Sequence, residues 1–174
     1  MRRILLPLLG GILLLTIQTT FLMALPIQRI RPDLVLILIV YLGFSYPPAS
    51  GGILAFILGY FTDLFSGNTF GLYTFTRPVI FFAVQFFKGR FYLESPAAQF
   101  LSALTSALVE GLLILTLLVG LNPDPLQHLL PLFVSFLLPQ ALLTSLITPF
   151  LFPLFRRAFS LWVSGSEAGI REGA

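Results

Sequence analysis

The lengths of the uncharged apolar runs constrain the fold of this chain more than any other feature. Residues 4–27 contain no charged side chain, and residues 96–122 contain only Glu110. A transmembrane helix needs about 20 consecutive apolar residues, and both runs exceed that length. Charged residues make up 10% of the 174 residues, against about 25% in soluble domains, which is too few to cover a surface in water. The sequence therefore predicts an integral membrane protein.

Turn and breaker residues divide the chain into six apolar segments. The segments cover residues 4–25, 33–46, 49–65, 71–87, 97–121 and 129–155. The runs do not alternate with a period of two residues, as the strands of a membrane barrel would. The predicted fold is therefore an all-α integral membrane protein, a compact bundle of six transmembrane helices. Residues 1–163 form a single transmembrane helical domain, and the small, polar, glycine-containing residues 164–174 form a disordered cytoplasmic tail.

Basic residues favour the cytoplasmic side of a membrane and so predict the orientation of the helices. When six spans follow a cytoplasmic N-terminus, seven basic residues lie on the cytoplasmic side and two on the outer side. The seven are Arg2, Arg3, Lys88, Arg90, Arg156, Arg157 and Arg171, and the two are Arg29 and Arg31. We expect a multi-pass protein of the inner (cytoplasmic) membrane with both termini cytoplasmic.

The second segment, residues 33–46, is short for a simple crossing of the membrane. At about 1.5 Å per residue it reaches about 20 Å, whereas the hydrocarbon core of a bilayer is about 30 Å thick. Such a helix must thin the bilayer, lie protected inside the bundle, or form part of a hairpin that does not cross fully. A five-span or re-entrant version of the bundle therefore stays open.

Three ionisable residues lie within apolar segments: Asp63, Arg77 and Glu110. Each would cost about 2.5–3.5 kcal/mol if it faced lipid at depth, so each should face the bundle interior. Small residues precede both acids at a spacing of four, which lets neighbouring helices approach closely. We expect Arg77 to pair with one or both carboxylates and to lock helices together. An ion or proton relay, or a ligand site, is the alternative.

The chain lacks the residues that several classes of chemistry require. There is no cysteine and a single histidine, His128, which removes thiol catalysis and cysteine-ligated metals and leaves no histidine-based metal site. No nucleophile elbow or glycine-rich phosphate loop is present. The basic residues are scattered at segment ends, unlike a nucleic-acid footprint. We therefore predict no enzyme activity, no catalytic residue, no cofactor, no metal and no nucleic-acid partner.

A glycine and aspartate pattern in the middle of the chain carries a family resemblance. Its residues are Arg31-Pro32-Asp33-Leu34, Gly52, Gly59, Asp63-Leu64, Ser66-Gly67 and Phe70-Gly71-Leu72. Gly52, Gly59 and Asp63 share one helix face, while Gly67 and Gly71 flank a tight turn. Over residues 31–115 this pattern resembles the MreD family of rod-shape-determining membrane proteins.

The resemblance implies a non-enzymatic scaffold of the cell-wall elongation complex in the bacterial inner membrane. Such a protein maintains cell shape by binding MreC and, through it, MreB, RodA and a class B penicillin-binding protein. Membrane lipids surround it. The candidate structural and interaction residues are Asp63, Arg77, Glu110, Gly52, Gly59, Gly67 and Gly71. The resemblance also implies a fold similar to that of the substrate-binding (S) components of vitamin transporters.

That likeness makes the S component of an energy-coupling-factor vitamin transporter the main alternative function. Such a protein needs a ligand cavity, a substantial first outer loop and a coupling face of alanines on its first helix. Here the first outer loop covers only residues 28–33, and the first helix is rich in leucine. A third possibility, an intramembrane enzyme acting on lipid-linked substrates, lacks a paired-aspartate metal motif and a histidine or cysteine nucleophile.

Overall fold

The structure is a computed structural model that describes residues 2–24, 32–66, 71–88, 95–121 and 126–171. These residues form six helices and no strand. The helices are α1 (Arg2–Ala24), α2 (Leu34–Ser45), α3 (Pro48–Ser66), α4 (Leu72–Phe87), α5 (Pro96–Leu121) and α6 (Leu126–Arg171). The predicted all-α fold is confirmed, and the helices start within a few residues of the predicted apolar segments.

Helices α2, α4 and α6 run in the same direction: Asp33, before α2, contacts Arg77 and Thr144, and residues about two turns later on α2 contact Val84 and Phe152. Helix α3 runs opposite to α4, because Gly59 meets Tyr73 and Gly51 meets Phe81. Helix α5 also runs opposite to α4, because Glu110 pairs with Arg77 whereas Ser102 lines a pocket with Val84. The pairs α3–α4 and α5–α6 form the two most extensive helix contacts. We call the end of the bundle where α2 and α4 begin the upper end. In the orientation predicted from the basic residues, the upper end faces outward.

The short helix α2 is the centre of the bundle and contacts each of the other five helices. Nine of its 12 residues are buried. A helix that is apolar on every side must be covered on every side, and α2 satisfies this with protein in place of lipid. A segment about 20 Å long can thin the bilayer, lie protected inside the bundle or form part of a hairpin. Helix α2 lies protected inside the bundle.

Both ends of α2 are held by specific contacts. At its start Asp33 is the N-cap, and its side-chain Oδ1 accepts a hydrogen bond from the Leu36 amide at 2.9 Å. Near its lower end the Tyr41 ring lies 5.5 Å from the ring of Phe152 and 5.6 Å from that of Phe155, between centroids. The cap fixes the start of α2, and the ring contacts fix its lower end against α6.

Three helices are long and apolar enough to cross a membrane: Pro48–Ser66, Pro96–Gly120 and Val134–Phe159. Large apolar side chains face outward from the bundle, among them Phe86 and Phe150, as expected of a protein whose solvent is lipid. The shorter apolar helices Ile4–Thr20, Leu34–Ser45 and Leu72–Phe87 lie among them. The chain is a membrane protein by these features, while six spans and the likeness to transporter S components stay predictions.

The last helix, α6, contains Pro131, Pro139, Pro149 and Pro153 and continues to Arg171. It therefore includes residues 164–171, for which the sequence predicts a disordered tail. The boundary between a membrane domain and a tail at residue 163 stays a prediction.

Candidate functional site

Arg77, on α4, is the largest fully buried side chain among the described residues and the centre of the candidate site. Its Nη2 donates a hydrogen bond to Asp33 Oδ2. Its Nε lies 3.2 Å from Glu110 Oε1 in a second ion pair. The face of the Tyr73 ring lies 5.3 Å from Arg77 Cζ, measured to the ring centroid. Arg77 thus joins the starting residue of α2 to the middle of α5.

Asp33 makes contacts in three directions from the start of α2. Besides capping α2 and binding Arg77, it donates a hydrogen bond from its backbone amide to Thr144 Oγ1 on α6 at 3.0 Å. Thr144 is itself buried. A single residue at the upper end of α2 therefore links α2, α4 and α6.

Glu110 brings α5 into the same network. The Thr76 hydroxyl donates to Glu110 Oε1 at 3.4 Å, next to the ion pair with Arg77. One turn and two turns below Glu110 on α5 lie Ser106 and Ser102, both buried. These small side chains let α5 approach α4 closely enough for the two charges to meet.

Of the two carboxylates that the sequence offered to Arg77, Glu110 pairs with it and Asp63 does not. The ion pairs of Arg77 with described residues are to Asp33 and Glu110. The Asp63 carboxylate instead accepts hydrogen bonds from the backbone amides of Gly71, Tyr73 and Thr74, at 3.1, 2.9 and 2.8 Å. The first amides of a helix have no partner within the helix and carry partial positive charge. These amides therefore hold the Asp63 carboxylate, which caps the start of α4.

Gly52 and Gly59 lie where α3 packs on α4, and Gly71 directly precedes α4. A Cβ at Gly59 would collide with the backbone carbonyl of Tyr73, so the two helix backbones are in direct contact there. Gly71 has φ +98°, a left-handed conformation that glycine adopts without strain. A Cβ at Gly52 would lie 2.9 Å from Cζ of the Phe82 ring. Gly67 lies outside the described residues.

The network is not balanced within itself. Two carboxylates, on Asp33 and Glu110, face a single guanidinium. Arg77 Nε and Nη1 have no hydrogen-bond partner in the described part of the chain, although both atoms are buried. Two buried carboxylates therefore share one guanidinium, whose Nε approaches Glu110 as an ion pair without a hydrogen bond and whose Nη1 has no partner among the described residues.

A cavity of about 310 Å³ adjoins the network. Its polar wall consists of Asp33, Tyr73, Glu110, Gln140 and Thr144. Apolar side chains of α5 and α6 line most of the remainder, including Ile114, Leu118 and Phe136. No group of three or more histidine, cysteine, aspartate or glutamate side chains that could hold a metal occurs among the residues the structure describes.

Asp33 is the residue that the sequence interpretation did not assign to the site. The sequence places Asp33 at the end of the first outer loop, at the start of the second segment, and in the family pattern Arg31-Pro32-Asp33-Leu34. The available signal was the brevity of the second segment, which lowers the start of α2 toward the level of Arg77. An aspartate directly before an apolar run is also a typical N-cap.

One comparison with known proteins, with a family model, gives a match over nearly the whole chain. No curated protein and no solved structure is significantly similar to it. The family model for rod shape-determining protein MreD matches residues 1–160. This range includes Asp33, Arg77, Glu110 and the glycines at the α3–α4 contact. Because the match covers far more than half of the 174 residues, the chain belongs to the MreD family of rod shape-determining proteins.

Proposed function

We propose that this protein is a non-enzymatic scaffold of the cell-wall elongation complex. In this proposal it binds MreC and, through MreC, organises MreB, RodA and a class B penicillin-binding protein for peptidoglycan synthesis. The observation that carries the proposal is the family match over residues 1–160, because it ties the chain to rod shape determination. The partners come from the family resemblance.

The architecture supports a scaffold because it fixes the helices relative to one another. The Arg77 network joins α2, α4, α5 and α6 through buried contacts. The α3–α4 pair is held by backbone contact at Gly59 and by the cap at Asp63. A partner helix that binds such a bundle meets a surface of defined shape, and binding then costs little conformational entropy.

The proposed topology is six spans in the bacterial inner membrane with both termini in the cytoplasm. The long helices α3, α5 and α6 would define the thickness of the protein, and the short α2 and α4 would lie among them. In such a bundle the buried charges face protein, which is where intramembrane charges are tolerated.

Copurification with MreC tests the proposed function. The chain would be tagged, expressed with MreC in membranes and extracted in mild detergent, with an unrelated six-helix membrane protein as the matched bait. We expect MreC to elute with this chain and not with the control. Absence of MreC from a folded, monodisperse preparation would contradict the scaffold proposal.

Cysteine cross-linking would then locate the MreC surface. Because the chain contains no cysteine, single cysteines can be introduced without a background. Exposed positions on three helices are suitable: Ile53 and Tyr60 on α3, Leu112 on α5, and Leu146 and Leu154 on α6. A true interface gives cross-links to one MreC transmembrane helix at positions that share one face, whereas random collision gives them on every face.

The S component of a vitamin transporter is the second candidate function, and the cavity beside Glu110 is the observation that favours it. An S component would copurify with the transmembrane coupling subunit of its transporter and would bind a vitamin when purified alone. Copurification with MreC in the absence of that subunit decides for the scaffold.

A further inference from the structure

The cavity beside Glu110 results from the unequal lengths of neighbouring helices. Helix α2 begins at Leu34, directly after Asp33, whereas α5 continues from Glu110 to Leu121. Eleven residues of helix extend α5 by about 16 Å beyond the charge network. Among the residues that the structure describes, this space is lined mainly by α5 and α6, together with Asp33 and Glu110.

The size and lining of this space match those of a small-molecule site. Ligand pockets measure roughly 300–1,000 Å³ and combine mostly apolar walls with a few polar groups that orient the ligand. This cavity measures about 310 Å³. Its apolar walls come from Ile114, Leu115 and Leu118 of α5 and from Phe136 and Leu137 of α6. One end is apolar and the other carries carboxylates.

The charge at the polar end is negative. Glu110 is 4% exposed and lines the cavity. Within the described residues, its one hydrogen bond comes from Thr76 and goes to Oε1, so Oε2 has no partner. Arg77 is not among the lining residues, and its charge offsets only one of the two carboxylates. A ligand entering the cavity therefore meets a carboxylate whose Oε1 is paired with Arg77 and whose Oε2 accepts no hydrogen bond from the described residues.

This excess charge selects the ligand's charge and valence. A buried charge without a partner is strongly unfavourable, so it favours any monocation that can reach it. A divalent metal requires six or more oxygen ligands or several waters, and the described residues offer no cluster of three candidate ligands. An anion would be repelled by both Asp33 and Glu110.

We propose that the cavity binds a primary ammonium group carried on an apolar body. The ammonium ion pairs with Glu110 and donates to Gln140 or Thr144, while the apolar part lies along Ile114 and Leu118. Two sources present this chemistry: a free amphipathic amine, and a phospholipid whose headgroup ends in an ammonium, such as phosphatidylethanolamine. This site is separate from the proposed MreC interaction and would persist in a protein that fails to bind MreC.

Binding of n-octylammonium to the purified protein tests the proposal. The full chain would be placed in phosphatidylcholine nanodiscs and titrated with radiolabelled n-octylamine at neutral pH, with empty nanodiscs subtracted. Neutral n-octanol and anionic n-octanoate serve as competitors of equal length. We expect saturable binding of the amine that neither competitor displaces. Equal displacement by n-octanol would overturn the proposal, because the site would then not distinguish an ammonium group from a neutral hydroxyl.

Two variants on one helix provide the matched control. Ile114→Trp fills the cavity without altering any charge, whereas Leu112→Trp adds the same side chain on the outward face, where Leu112 is 59% exposed. We expect Ile114→Trp to abolish saturable binding and Leu112→Trp to retain it. Equal loss in both variants, each confirmed as folded by circular dichroism, would place the amine elsewhere and refute the site.

Glu110→Gln tests the charge itself. It should weaken amine binding by about tenfold or more, as expected for the loss of a close charge pair. If this variant fails to fold, the Ile114→Trp and Leu112→Trp pair still decides the proposal.

A further titration in nanodiscs containing phosphatidylethanolamine or phosphatidylglycerol identifies the source of the ammonium. If n-octylammonium binds more weakly in phosphatidylethanolamine nanodiscs than in phosphatidylglycerol nanodiscs, the lipid headgroup occupies the site. Equal binding in both lipids shows that the site takes a free amine. Either result supports the proposed chemistry.

Discussion

The guanidinium of Arg77 on α4 binds the carboxylate of Asp33, which caps α2 44 residues earlier in the chain. The same carboxylate therefore caps the start of one helix and neutralises a charge on another. This arrangement couples the register of α2 to that of α4, because neither helix can slide without separating the pair. Glu110 extends the coupling to α5.

Arg77→Ala should destabilise the protein more than any other single change in the network. Removal of the guanidinium leaves the carboxylates of Asp33 and Glu110 buried without a cation, and breaking a buried pair in this way costs about 3–5 kcal/mol. Thermal unfolding of the purified protein, with expression level as a second readout, measures the effect. Glu110→Gln is the matched control and should cost much less, because it removes the excess negative charge. A smaller loss for Arg77→Ala than for Glu110→Gln would contradict this account.

The helices were predictable from sequence because long uncharged runs and proline or glycine breakers are local signals. All four ends of α3 and α4, at Pro48, Ser66, Leu72 and Phe87, lie within one residue of the predicted boundaries. The partners of the buried charges were less predictable, since they depend on how deep each helix begins. The sequence places Asp33 where the first outer loop meets the second segment, and it leaves the depth of that segment open. In the bundle, the brevity of α2 brings Asp33 down to the level of Arg77.

Asp63 illustrates a second limit of sequence reasoning. Its burial was predictable from its place on an apolar helix, but its partners are backbone amides, which every residue possesses. The distribution of charges therefore suggested Arg77 as a partner of Asp63. In the structure its partners are the backbone amides at the start of α4, which have no acceptor within the helix. The glycines were more informative, because the spacing of Gly52, Gly59 and Asp63 placed all of them on the face that packs against α4.

Asp63→Ala should loosen the α3–α4 turn without disturbing the Arg77 network. The change leaves the amides of Gly71, Tyr73 and Thr74 without their acceptor, and the loss of a cap costs about 0.5–2 kcal/mol. Asp63→Asn keeps one oxygen acceptor and should recover part of the stability. Hydrogen exchange of the amides at the start of α4 gives the site-specific readout. Unchanged protection of those amides in Asp63→Ala would show that the cap does not stabilise the turn.

Gly59→Ala and Gly52→Ala should differ although both glycines lie on the same helix face. At Gly59 the new methyl meets the backbone carbonyl of Tyr73, which cannot move unless α3 and α4 separate. At Gly52 it meets the far end of the Phe82 ring, which is half exposed and can turn away.

We expect Gly59→Ala to cost about 1–3 kcal/mol, as overpacking does, and Gly52→Ala to be close to neutral. The midpoint of thermal unfolding in detergent measures both changes. Gly10→Ala controls for helix propensity, because nothing lies within 4 Å of a Cβ there, and it should be neutral or stabilising. A similar loss at Gly52 and Gly59 would show that backbone contact is not the deciding factor.

A variant in which the whole network is neutral separates its architectural role from any other. Asp33→Asn keeps an oxygen that can cap α2, Arg77→Met retains an unbranched side chain of similar reach, and Glu110→Gln keeps an acceptor for the Thr76 hydroxyl. Replacing all members of a buried ion network together is often neutral, whereas replacing one leaves its partners unpaired. The triple variant should therefore be more stable than Arg77→Met alone by about 2 kcal/mol or more.

If the charges serve only to join helices, cells whose sole copy is this variant should keep their rod shape and MreC should still copurify. Rounded cells with normal amounts of folded triple variant would instead assign the charges a role beyond holding α2, α4 and α5 together.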